Sequence, residues 1–200
     1  MSTGFIYGNR KNSLYKGSGM VTRDALKAIM TYGDCINSLF PQNIEVPAAI
    51  TKFEEHYEDL KDFALPNRIS QFYRVSTINE IKSALVNDGP VVFVINWYDD
   101  IKLDKSYILT SSRKKATGAH CMVIYGWDKN GWKFQNSWGT GWGNKGRAIL
   151  PYDFPISEAW GVVDNITDEN QDDIKKPFNS CIGQIIAKVV NAIINLFKKK

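Results

Sequence analysis

Gly118-Ala119-His120-Cys121-Met122-Val123-Ile124-Tyr125-Gly126-Trp127 runs through Asp128-Lys129-Asn130-Gly131 into Trp132-Lys133-Phe134-Gln135-Asn136-Ser137-Trp138-Gly139-Thr140-Gly141-Trp142-Gly143. Asn-Gly between two apolar runs is the strongest short hairpin signal. The stretch therefore predicts two antiparallel strands, residues 120–127 and 132–136, joined by a tight turn. The hairpin can bring His120 and Asn136 side by side at the open ends of the two strands. An amide oxygen can hold one imidazole nitrogen and leave the other to exchange a proton with a thiol. An imidazole near a thiol also lowers the thiol pKa and creates a reactive thiolate.

The same kind of pattern extends outward. Residues 147–150 read as a third strand. Upstream, Gly89-Pro90 is followed by an apolar, β-branched run at residues 91–95, a buried strand by composition. Thr77-Ile78-Asn79-Glu80 is a capping-box signature, and Ile81, Ala84 and Leu85 share one face of the helix it opens. Residues 99–117 are polar and read as a long loop. The second half of the chain is thus mainly antiparallel β. The first half reads as helix and loop. Thr22 is placed to cap a helix with Leu26, Ile29 and Met30 on its apolar face and Gly33 at its end. Residues 50–62 read as a polar surface helix, and residues 1–19 as irregular structure rich in Gly, Asn, Ser and Lys.

The chain has 200 residues, 44% apolar and 23% charged, as in an ordinary globular protein. Its net charge is +4, but six lysines and four acids after residue 164 carry half of that. The near-neutral body shows no basic face of the kind that binds nucleic acid. The first residues lack the basic and apolar regions of a signal peptide, and no apolar run is long enough to span a bilayer. Localisation is not readable. The three cysteines, Cys35, Cys121 and Cys181, are far apart and form neither a zinc pattern nor a disulfide framework.

Three features together resemble the papain-like cysteine peptidase family: Asn136-Ser137-Trp138-Gly139-Thr140-Gly141-Trp142-Gly143, a His before an apolar strand ending in Tyr125-Gly126, and a Gly-Pro-Val-Val strand upstream. Gly17-Ser18-Gly19-Met20 and the following helix resemble the glycine-rich edge of the family's helical lobe. The resemblance covers roughly residues 4–164. It implies an α+β, two-lobe fold with the N-terminal helical lobe incomplete and the β-rich lobe, residues 72–164, essentially whole.

By the same resemblance His120 is the general base and acid, and Asn136 orients it. Trp138 covers their hydrogen bond, and Ser137 and Trp142 support the corner. Gly19 offers backbone hydrogen bonds to an extended peptide. Met20, Val94 and Cys121 line the pocket for a substrate side chain. No metal or organic cofactor is implied, and the expected partner is a peptide or protein substrate.

One departure from the family is large. The family places its nucleophilic cysteine about 130–150 residues before the His and Asn. Counted back from His120 and Asn136, that position falls before Met1. The chain is therefore expected to be part of a longer protein, or to associate with a segment or separate chain that carries the cysteine, and to be inactive alone. Cys121 is adjacent to His120 and should face the other side of its strand. Cys35 and Cys181 lack a Cys-Trp helix-start context. The alternative is a non-catalytic pseudopeptidase that acts as a peptide-binding or scaffold module.

Elsewhere the plain readings suffice. His56 among Glu54, Glu55, Glu58 and Asp59 is a solvated helix face. Trp97, Trp127, Trp132 and Trp160 read as packing. Residues 1–164 form the partial peptidase-like domain and residues 165–180 a polar linker. In residues 181–200, Ile182, Ile185, Ile186, Val189, Val190, Ile193, Ile194 and Phe197 recur at helical spacing, ahead of Lys198-Lys199-Lys200. Such an amphipathic helix can pack on its own domain, bind a partner helix or lie on an anionic membrane surface.

Overall fold

The computed structural model describes residues 1–12, 19–42 and 44–164. The linker and amphipathic helix expected after residue 164, and Cys181, lie outside the described residues. The chain divides into two compact units, one of residues Met1–Phe72 with Val163 and Asp164, the other Tyr73–Val162.

The first unit is helical: α1 (Thr3–Gly8), α2 (Thr22–Tyr32) and α3 (Val46–Ala64). Helix α1 lies where the sequence reads as irregular. Two glycines in six residues give it little intrinsic helix preference. It forms because Phe5 and Ile6 are fully buried and because Ser2 caps it, the hydroxyl accepting from the Phe5 N–H at 3.1 Å. A Cβ at Gly8 would collide with the Phe53 side chain on α3, so the glycine is what lets the two helices approach. Their core joins Phe5, Cys35, Phe40, Phe53 and Ala64, with Tyr32 and Tyr57 packed on it. Phe5 meets Phe53 edge-on at 5.0 Å, a favourable aromatic geometry.

Two helix boundaries differ from the sequence reading. Thr22 is the first helical residue of α2; Val21 holds the cap position and makes no side-chain cap bond. Helix α3 starts before residue 50 because Pro47 fits a first helical turn, where no amide donor is needed.

A strand, β1 (Ile69–Val75), crosses from the first unit into the second. The second unit holds α4 (Ile78–Asn87), β2 (Val91–Tyr98), β3 (Lys102–Leu103), β4 (Leu109–Thr110), β5 (Ala116–Asp128), β6 (Gly131–Gln135), β7 (Arg147–Leu150) and β8 (Glu158–Asp164), whose last two residues return to the first unit. The capping box of α4 is formed as read: Thr77 accepts from the Glu80 N–H at 3.2 Å, and Glu80 accepts from the Thr77 N–H at 2.9 Å. The main sheet runs β1-β8-β2-β5-β6-β7. The span read as a long loop contains the small β3–β4 hairpin and the start of β5. Strands β1 and β8 were not legible: β1 is half polar, and β8 carries Gly161 at its centre, which weakens a strand signal. No described helix is long and apolar enough to cross a membrane.

The core of this unit lies on one face of the sheet. Phe93 and Ile95 of β2, Met122 and Ile124 of β5, Phe134 of β6 and Ala148 and Leu150 of β7 form a single buried cluster with Trp132. Side chains alternate along a strand, so Ile124, Met122 and His120 occupy successive places on the same face of β5. The core column thus ends in an imidazole.

Candidate functional site

Register places the chemistry. Strand β5 pairs with β2 so that Ile95 lies opposite His120 and Val94 opposite Cys121. The hairpin turns at Asp128, whose carboxylate accepts from the Asn130 N–H at 2.7 Å. Strand β6 then returns beside β5 and delivers Asn136 one residue past its end. His120 Nε2 and Asn136 Oδ1 are 3.0 Å apart, and the two residues are 4% and 2% exposed.

The orientation of the amide settles where the proton sits. Asn136 Oδ1 also accepts from the Ser137 N–H at 2.7 Å. A backbone N–H needs an acceptor, so the oxygen of the amide faces both groups. His120 must therefore donate from Nε2, and in the neutral ring the lone pair lies on Nδ1. Asn136 Nδ2 and Ser137 Oγ are buried and have no partner among the described residues.

Aromatic rings enclose the imidazole. Trp138 lies 5.1 Å away and tilted by 31°, and Trp97 lies 4.9 Å away, edge-on. The two indoles are 4.7 Å apart, and Trp142 adds an edge contact to Trp138 at 5.7 Å. Trp138 keeps 37% of its surface exposed, so it stands between the imidazole and solvent. Trp97, read from the sequence as packing, does pack against the core and also forms a wall beside His120. Its signal was available: it lies two residues beyond Ile95, the partner of His120, and so on the same face in a diagonal position.

The other named residues fall in separate places. Val94 and Cys121 sit side by side on the face of the sheet away from His120, 5% and 0% exposed. Gly19 and Met20 belong to the helical unit. Met20 lines a cavity of about 250 Å³ with Asn9, Asp24, Lys27, Ala28, Thr31 and Tyr32. Cys35 is fully buried there, and its thiol donates toward the Leu60 carbonyl across 3.8 Å. Burial, and secondarily the neighbouring Asp34 carboxylate, push its pKa up to about 11, the reverse of what a nucleophilic thiolate needs. His56 lies on the exposed side of α3, 4.0 Å from Glu55.

The sequence of residues 43–152 matches the family described as papain family cysteine protease. An uncharacterized peptidase C1-like protein of Acanthamoeba polyphaga mimivirus is 27% identical, with 82% of this chain and 58% of that protein covered. Cathepsin B-like cysteine proteinase 3 of Caenorhabditis elegans is 36% identical over 37% of this chain and 22% of its own length. The chain therefore spans less than two thirds of either relative. Among solved structures, xylellain, a cysteine protease from Xylella fastidiosa, superposes with a TM-score of 0.62 at 21% identity, covering 82% of this chain and 70% of that one. That likeness identifies a papain-like α+β fold.

Proposed function

The chain belongs to the papain family of cysteine proteases, and from that premise we propose that it supplies the histidine and asparagine of a thiol-peptidase site. The observation that carries the reading is the buried bond between His120 Nε2 and Asn136 Oδ1 beneath Trp138. It fixes the ring and its tautomer, which is the orienting task of a triad's third member.

In the reaction, Nδ1 of His120 takes the proton of a cysteine thiol, giving a thiolate–imidazolium pair. The thiolate sulfur attacks the peptide carbonyl carbon. His120 then gives the proton to the leaving amine as the C–N bond breaks, and a thioester remains. Water, deprotonated by the same nitrogen, attacks the thioester; the acid leaves and the thiol is restored. Asn136 holds the ring throughout, and Trp138 keeps water from its hydrogen bond.

The nucleophile in this reading is none of the described cysteines. Cys121 faces away from the imidazole's side of β5, and the pKa of Cys35 is raised. It comes from a segment or chain beyond the described residues, and the chain alone is inactive. The substrate is a peptide or protein.

The test is to read the coding sequence upstream of Met1 and to express the longer product. A Cys-Trp helix-start segment in frame should confer hydrolysis of a fluorogenic peptide and labelling by a thiol-directed epoxide. His120→Ala should then lower kcat/KM by about 10⁴-fold or more, while the 200-residue chain alone takes no label. If no upstream frame or separate chain supplies such a cysteine, or if His120→Ala leaves hydrolysis unchanged, the reading is wrong.

A further inference from the structure

We propose that Gln135 is the positioning residue for Asn136, clamping its backbone so that its side-chain oxygen meets His120. The inference rests on the proposed role of the His120–Asn136 pair. Its starting point is that the Asn136 amide is held at one end only. Two donors reach Oδ1, whereas Nδ2 has no partner among the described residues. The place of Oδ1 is therefore dictated largely by where the backbone of residue 136 lies.

That backbone is held by Gln135. Its side-chain Nε2 donates to the Asn136 carbonyl at 2.9 Å and to the Gly146 carbonyl at 2.8 Å. The Gly146 carbonyl also accepts from the Asn136 N–H at 2.8 Å. One amide group thus ties both ends of the peptide loop to the residue that carries Oδ1. The amide is itself aimed: its oxygen accepts from Nε of Arg147 at 3.0 Å, and Arg147 is the register partner of Gln135 on β7. The Arg147 guanidinium rests 5.1 Å over the Tyr125 ring. The loop is shaped around this group. Gly146 has φ +86°, and a Cβ there would stand 2.7 Å from Gln135 Nε2. The arrangement needs two donors and one acceptor on one planar group, which glutamine has and glutamate lacks.

The chain contains two histidines, so nitrogen NMR of the imidazoles reads His120 directly with the exposed His56 as an internal reference. In the unaltered chain His120 should show a single Nε2–H tautomer with slow hydrogen exchange, and Asn136→Ala should abolish it. Gln135→Leu should speed exchange of that proton about threefold to tenfold, the equivalent of one lost net hydrogen bond, and leave His56 unmoved. Gln135→Glu, which keeps only the bond to Arg147, should behave the same way. A folded Gln135→Leu protein with an unchanged His120 signal overturns the inference and leaves the peptidase reading intact. Should Gln135→Leu not fold, Arg147→Met is read instead: exchange about twofold faster supports the clamp, and an unchanged signal overturns it. A His120 signal unmoved by Asn136→Ala overturns the pair itself, and the clamp with it.

Discussion

The two units bury polar groups in opposite ways. In the β unit, His120 and Asn136 are almost wholly enclosed, yet they face each other, and their oxygen collects two donors. In the helical unit Asp34 is fully buried, and only one of its oxygens is engaged: Oδ1 accepts from the Ser2 N–H at 3.2 Å, while Oδ2 has no partner among the described residues. Burial raises the Asp34 pKa to about 8, against the weaker pull of the first ammonium and of the Ser2 and Cys35 N–H groups. A buried pair whose members face each other leaves its shared oxygen satisfied, whereas a half-satisfied carboxyl makes its unit depend on pH. The β unit is built to hold a geometry, and the helical unit carries a proton-linked weakness.

The sharpest test of the contrast is core truncation. Phe134→Ala in the β unit and Phe53→Ala in the helical unit should each cost about 3–5 kcal/mol in urea unfolding. Both rings lie in dense clusters. If one costs far less, that unit's core is looser than its contacts indicate.

Next in size is pH. The folded pKa of Asp34 is raised above its unfolded value, so the folded state binds more protons between pH 4 and 8. Stability is then greatest below the unfolded pKa and falls as pH rises toward the folded one. The loss should approach about 3 kcal/mol between pH 5 and pH 7 at the full slope of 1.36 kcal/mol per pH unit. Calorimetry at stepped pH should show this fall, and Asp34→Asn should flatten it. An unchanged slope in Asp34→Asn would place the linkage elsewhere.

Smaller effects follow. Gly8→Ala inserts a methyl into the α1–α3 contact and should cost about 1–3 kcal/mol by overpacking, read in the same urea titration. Thr77→Ala removes half of the capping box of α4 and should cost about 1 kcal/mol, seen as a small drop in Tm. A neutral Gly8→Ala would mean that α1 is less tightly docked than its glycines suggest.

The contrast also explains what was legible in the sequence. The His120–Asn136 pair, the hairpin and the capping box are local: their partners lie within sixteen residues, and turn chemistry announces them. Helix α1 was not legible. Its stability comes from packing on Phe40 and Phe53, more than thirty residues on, and nothing in Thr3–Gly8 itself favours a helix. Asp34 follows Gly33 at the end of α2 and looks like an ordinary loop acid; its burial depends on chain returning from elsewhere, including Asn67, which donates to its carbonyl at 3.0 Å. Trp97 shows the intermediate case. Extending the read strand by two residues and pairing it with residues 116–124 would have found it.

Strand β8 is the last of the described strands, yet it lies between β1 and β2 rather than at the margin of the sheet. On the ribosome, β1 and β2 therefore emerge with a vacant lane between them: β1 has no partner strand, and the edge of β2 facing it stays unpaired, until some sixty residues beyond β2 have been made. Such edges recruit strangers as readily as the proper strand. A stalled or clipped nascent chain ending before residue 158 would thus have a missing middle strand rather than a frayed end, and a predictable route to aggregation.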